Sequence, residues 1–245
     1  MHNVFCFMKY VELTDELVKK NKKRFSYKLA KLINHIMNWK PKVKFLGEEF
    51  PNEPILFLTN HVGKKAPVKI ELYYPRDFRM WGTYEMTEGL KAVHKYLRTT
   101  YYHNKLHLPK WFACVVATIA APFANMFYKG MRLLPTYPDY RFLSTTKMSI
   151  KAYEQGKDLV IFPEDSSTGY KDKLEYFFSG FASFLETMYR RGKDIPVYVA
   201  YYSKKKNTFF VNDKLMYSEI KEKFGSDFTA IAEGLRDIMN SLMEK

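Results

Sequence analysis

The residues best equipped for chemistry in this chain are a histidine and a glutamate, each lying just beyond an apolar run. Ile55-Leu56-Phe57-Leu58 leads into Thr59-Asn60-His61, and Leu159-Val160-Ile161-Phe162 leads into Pro163-Glu164-Asp165. Short apolar, β-prone runs closed by polar or proline-bearing segments read as buried strands that end in loops. In open α/β sheets ligands gather beyond the carboxyl ends of the strands, so both loops are expected on that rim. An imidazole with its ordinary pKa near ~6.5 accepts a proton at neutral pH, and His61 there could deprotonate a hydroxyl as it attacks a thioester. A lone histidine also has structural uses, and position alone does not choose between the two roles.

The elements that must hold these loops follow from periodicity. Residues 14–39 form a helical pattern, with Phe25, Leu29, Leu32, Ile33, Ile36 and Met37 on one face and seven Lys and Arg crowded between positions 19 and 31. A basic amphipathic helix of this kind reads either as an interfacial membrane element or as a core-docked helix with a solvated face. Pro67 can open a helix through Ile70, Glu71 and Leu72 that ends before Pro75. Strands are expected at 77–84, 131–135, 158–162, 195–201 and 208–211, with Lys204-Lys205-Lys206-Asn207 turning between the last two. Helices are expected at 85–98, 140–154 and 178–191, and a last one capped by Ser226-Asp227. Trp111 to Tyr128 carries no charge over eighteen residues, bracketed by Lys110 and Lys129 and interrupted by Pro122. At ~1.5 Å per residue it reaches roughly 27 Å against a bilayer core of ~30 Å, so a span, a buried helix and a shallow membrane-inserted helix all remain open. Strands alternating with helices predict an α/β fold, with a central mixed, mainly parallel sheet flanked by helices. The expected organisation is a basic amphipathic N-terminal helical region over 1–40 and an α/β domain over 41–245.

Composition narrows the partners. Forty Lys and Arg against 26 Asp and Glu leave a net charge of +14, which calls for an anionic partner. Nucleic acid is disfavoured because no helix-turn-helix, zinc or RNA-recognition signature is present. Cys6 and Cys114 stand too far apart in the sequence to suggest a disulfide framework or a zinc-ligand pattern, and read as reduced thiols. Met1 to Met8 is apolar but lacks a basic n-region, so no signal peptide is expected.

The two loops resemble signature motifs of the lysophospholipid acyltransferase family, which includes the 1-acylglycerol-3-phosphate acyltransferases. Asn60-His61 resembles that family's first motif, and Phe162-Pro163-Glu164 its third. Lys129-Gly130-Met131-Arg132-Leu133-Leu134-Pro135 falls where the second is expected, and Ile195-Pro196-Val197 resembles the fourth. The resemblance covers roughly residues 40 to 215. It implies acyl transfer from acyl-CoA or acyl carrier protein to the hydroxyl of a lysophospholipid or related glycerolipid, at the cytoplasmic face of an anionic membrane surface. No metal and no organic cofactor is implied. His61 would be the general base. Asn60 would belong to the same motif, Glu164 would hold the glycerol or phosphate end of the acceptor, and the loop carrying Gly130 and Arg132 would shape that pocket.

The departures are as informative. The family's catalytic Asp falls at position 66, where this chain has Ala66. In a serine-protease triad, loss of the carboxylate that orients the histidine costs on the order of 10⁴ in rate. Asp165, beside Glu164, is the first candidate to replace it, and Glu71 on the following helix is the second. Asp165, Ser166, Ser167 and Thr168 stand where the third motif has Gly, Thr, Arg and Ser, so Ser166 and Ser167 occupy binding positions without its arginine. Lys64, Lys65, Arg132 or Arg141 could then meet the acceptor's charge, although Lys64 and Lys65 also read as plain solvated residues. The alternative function is a non-catalytic membrane-surface lipid binder on the same fold.

Overall fold

The computed structural model describes residues 25–245 except Thr168. The expected helical residues before Phe25, and the apolar segment from Met1 to Met8, lie outside the described residues. In chain order the elements are α1 (Phe25–Met37), β1 (Lys42–Phe45), β2 (Leu56–Thr59), α2 (Lys65–Tyr73), β3 (Phe78–Thr83) and α3 (Leu90–Tyr96). A π-helix (Leu97–Lys105) continues α3, and α4 (Lys110–Gly130), β4 (Leu133–Thr136), α5 (Phe142–Glu154) and β5 (Asp158–Ile161) follow. The chain then forms α6 (Gly180–Tyr189), β6 (Pro196–Ser203), β7 (Thr208–Val211), β8 (Leu215–Met216), α7 (Tyr217–Phe224) and α8 (Phe228–Ser241). Contacts divide the chain into two units. One holds the described residues 25–39 with Gly82–Met148, and the other holds Lys40–Trp81 with Ser149–Lys245.

The strand order is β1-β7-β6-β2-β5-β3-β4, with β8 beside β6. β2 pairs parallel with both β5 and β6, β3 pairs parallel with β5, and β1 parallel with β7. β7 and β8 run antiparallel to β6. This is the mixed, mostly parallel α/β sheet that the alternation of strands and helices predicts. Central parallel strands are covered on both faces, which is why their sequences are continuous apolar runs. Every residue of β2 and β5 is buried, as are seven of the eight in β6. On the 228–241 helix, Asp227 accepts hydrogen bonds from the Thr229 and Ala230 main-chain N–H groups, and Ile231, Leu235 and Met239 are buried as the helix packs on β6.

One buried ionic cluster ties the start of the parallel strands together. Asp158 opens β5 with no exposed surface. Its Oδ1 accepts from the Ile55 main-chain N–H at 3.0 Å and faces Arg76 Nη2 at 3.0 Å, and its Oδ2 accepts from the Tyr74 hydroxyl at 2.8 Å. Burial pushes the Asp158 carboxyl up, and these three donors pull it back toward the ionised form. Arg76 also donates to the Pro51 and Glu53 carbonyls, so the chain entering β2 and the chain leaving α2 share one anchor.

In the other unit, α4 is a single helix running through Pro122. A proline inside a helix removes one i→i−4 hydrogen bond, and the flanking turns on either side of Pro122 remain helical. Ala117 and Ala121 lie four residues apart and pack on Val93, Tyr96 and Leu97. Small side chains at this spacing let helices approach closely. α1 meets α4 where the Tyr27 ring stacks on Phe127. A Cβ on Gly130 would lie 2.1 Å from a Tyr27 ring carbon, so only glycine fits there.

Glu186 on α6 gathers Lys221 Nζ at 2.9 Å, Arg190 Nε at 2.7 Å and the Tyr217 hydroxyl at 3.1 Å. Its hydrogen bond with Lys221, followed by that with Arg190, holds its carboxyl down at about 2, below the ordinary 4.5. A depressed carboxylate contributes stability above its ordinary pKa and loses that contribution as pH falls through the folded value. Lys221→Met is therefore expected to cost about 0.5–1 kcal/mol at pH 7. The difference from wild type should shrink between pH 4.5 and pH 2, as urea unfolding at the two ends of that range would measure.

Candidate active site

The register of β2 against β5 builds the site. Leu58 pairs with Ile161, a separation of 103 residues. His61 lies three residues past Leu58 and Glu164 three past Ile161, so the separation of 103 persists beyond the strands. There the two side chains meet. Glu164 Oε1 accepts from the His61 main-chain N–H at 2.9 Å and lies 3.0 Å from His61 Nδ1. The glutamate side chain keeps 6% of its surface exposed and the histidine 25%. A carboxylate at this distance favours the tautomer that places the histidine proton on Nδ1, in which Nε2 carries the lone pair. The result is an oriented imidazole with its basic nitrogen opposite the carboxylate.

The surroundings fix this geometry. The His61 ring lies 4.4 Å from the Phe162 ring and 5.9 Å from that of Tyr170, between centroids. Val62 and Gly63 both adopt positive φ, 45° and 67°, and turn the chain from β2 directly into α2. A β-branched residue is strained there, a cost that surrounding structure must offset. The Ala66 N–H then donates to the His61 carbonyl at 3.1 Å, which places the fully buried Ala66 methyl one turn beyond the histidine. On the other loop, Glu164 forms an antiparallel bridge with Phe177, and the Asp165 N–H donates to the Tyr176 carbonyl.

That bridge corrects the expected replacement for the missing aspartate. Extended backbone points successive side chains to opposite sides. Glu164 and Ser166 are buried, while Asp165 and Ser167 are exposed. Asp165 turns its carboxylate onto the Ser167 N–H at 2.8 Å, and Glu164 is the one that reaches His61. Glu71 is buried on α2, and the carboxylate 3.0 Å from His61 Nδ1 is that of Glu164. Asn60 is also structural: its Oδ1 accepts from the Tyr202 main-chain N–H at 2.7 Å and its Nδ2 donates to the Tyr202 carbonyl at 3.2 Å, pinning the loop to β6. Lys64 is exposed at the start of α2. Gly130 and Arg132 belong to the other unit, where Gly130 seats the Tyr27 ring. Arg141, in that unit too, is paired with Asp139 and lies over the Tyr84 and Tyr137 rings.

Two cavities flank these elements. One of about 70 Å³ adjoins Glu164, Gly169 and Tyr176. A larger one of about 350 Å³ lies against α2 on the side of the Asp158 cluster, walled by Tyr74 and Arg76 together with Val43, Phe50, Phe57 and Ile70. Lys69 also lines it, with its ammonium pKa lowered by burial and then by Lys65. The rings around His61 and this apolar cavity are features that sequence reading missed. Phe162, directly ahead of Pro163-Glu164, was the one visible signal. No protein-family model matches the chain, and no curated protein matches it.

Asn60 gives a direct test of the local architecture. Asn60→Ala leaves the buried Tyr202 N–H and carbonyl without their side-chain partners, and each such loss costs about 1–3 kcal/mol. The variant is expected to unfold at a lower denaturant concentration than wild type, by the same margin with or without lipid.

Proposed function

We propose that the chain transfers an acyl group from a thioester, acyl-CoA or acyl carrier protein, to the hydroxyl of a lysophospholipid or related glycerolipid. The observation that carries this reading is the His61–Glu164 pair at the carboxyl ends of β2 and β5. His61 Nε2 takes the proton of the acceptor hydroxyl as its oxygen attacks the thioester carbonyl. The tetrahedral intermediate expels the thiolate, which takes that proton from the imidazolium, leaving an ester and a free thiol. Glu164 acts through His61, holding the tautomer and stabilising the imidazolium as it forms. It thereby replaces the aspartate that the resemblance leads one to expect at position 66.

The test is acyl transfer by purified protein across a panel of acyl donors and lysolipids. His61→Ala should reduce turnover to background. Glu164→Gln, which keeps the shape but not the charge, should lower kcat by about 10²–10⁴. Asp165→Asn should leave kcat within about twofold, since that carboxylate faces away from the histidine. Retained turnover in His61→Ala removes the mechanism. Tight lipid binding without turnover by any donor–acceptor pair would replace the enzyme with a lipid carrier or scaffold.

A further inference from the structure

We infer that the unit built from residues 25–39 and 82–148 is a one-leaflet membrane-docking body, inserting the apolar face of α4 with that of α1 into an anionic lipid surface. The inference stands on the surface of this unit and does not depend on acyl transfer.

α4 is divided lengthwise. Ala113, Ala117 and Ala121 are buried, while Trp111, Val115, Ile119 and Phe123 recur at four-residue steps along an exposed face. Trp111 keeps 71% of its surface and Ile119 66%. α1 repeats the arrangement: Tyr27 is buried against Phe127, and Leu29, Ile33, Ile36 and Met37 are exposed. Large apolar side chains at such exposure, repeated on two helices that pack together, are the kind of surface that a protein leaves open for a partner.

Charge identifies the partner. The described residues of this unit contain 11 Lys and Arg against 3 Asp and Glu, a net of +8 out of the chain's +14. From Gly89 to Pro138 there is no acidic residue, and neither α1 nor α4 has one. Of the three acids, Asp139 is paired with Arg141 and Glu85 accepts from the Thr83 hydroxyl. Lys110 and Lys129 sit at the two ends of α4 and can extend toward headgroups while Trp111 lies at the interface. Apolar residues ringed by cations, without acids, match an anionic leaflet better than another protein surface.

The same unit argues against a bilayer-crossing α4. Its buried side packs on α3 and the π-helix, which expose Lys91, Lys95 and Arg98 and carry the His94–Thr118 hydrogen bond. A crossing helix would draw these charged partners into hydrocarbon, where each is costly. Lying in the interface keeps them in water and buries only the exposed stripe.

The experiment is co-sedimentation of the full chain with vesicles of phosphatidylcholine alone and of phosphatidylcholine with one-quarter phosphatidylglycerol. Wild type should bind the anionic vesicles at least tenfold more tightly than the neutral ones, and should release into alkaline carbonate. Ile119→Glu with Phe123→Glu should lower the anionic-vesicle affinity at least tenfold while circular dichroism and the unfolding midpoint stay unchanged. His61→Ala should bind as wild type does, which separates this result from the outcome of the acyl-transfer assay. Unchanged vesicle binding in the double variant overturns the proposal, as does resistance to carbonate. A dimer in ultracentrifugation that the double variant dissociates, with no vesicle binding, would reassign the face to self-association.

Discussion

The parallel pairing of β2 with β5 is the constraint on which the rest of the site depends. A parallel ladder keeps one residue offset along its length. The offset of 103 residues appears at the entrance to the strands, where Ile55 meets Asp158, through the ladder from Leu56–Leu159 to Leu58–Ile161, and past the ends at His61–Glu164. At one edge it brings a carboxylate to a main-chain N–H and an arginine, at the other a carboxylate to a main-chain N–H and an imidazole. The two clusters share a construction but differ in burial. Asp158 is sealed and serves the fold, whereas the His61 ring keeps a quarter of its surface in solvent. A slip of this register would separate both pairs at once, so the pairing that makes the core also makes the site.

Much of this was legible in the sequence, and what was not has a physical cause. Ile55–Leu58 and Leu159–Phe162 announced their strands because strands buried on both faces must be apolar throughout. β1 did not, because Lys42-Val43-Lys44-Phe45 lies at the edge of the sheet with its first three residues exposed. The π-helix after α3 was hidden by Thr99, Thr100, Tyr101 and Tyr102, residues whose bulk or branching lowers helix propensity. α7 is short and mostly charged, so it offers little periodicity beyond Tyr217 and Ile220. Pro122 suggested a break in α4, yet one lost hydrogen bond is small against a helix of 21 residues packed along one side.

The site illustrates a similar limit. Sequence spacing identified both loops, but it could not say which carboxylate would face the histidine. Glu164 and Asp165 are adjacent and chemically alike. The choice between them rests on the backbone hydrogen bonds that hold 163–165 extended against 176–178, and those come from a segment with no motif of its own. The same segment explains how Ala66 can stand where a carboxylate would otherwise be expected. With Glu164 already on Nδ1, a second acid at position 66 would bring like charge into a fully buried position. Ala66, with no exposed surface, fills the turn one helical turn beyond the histidine.

The proposed acyl transfer to a lipid hydroxyl would set two demands, and different units carry the features that suit each. A general base would have to be held rigidly, and the parallel strands and the Asn60–Tyr202 hydrogen bonds hold the His61 loop within the α/β unit. A lipid acceptor would reside in a bilayer, and the proposed activity would gain from any element that raises the protein's concentration there. Such an element needs exposed apolar surface and cations, both of which would compromise a core. The unit of residues 25–39 and 82–148 carries few acids, a net charge of +8 and the exposed aromatics of α1 and α4, while the buried Asp158–Arg76 pair and the partly exposed Glu186 cluster lie in the other. On the proposed function, holding His61 and reaching a lipid make opposite demands on composition, and separate packing units would let one chain satisfy both.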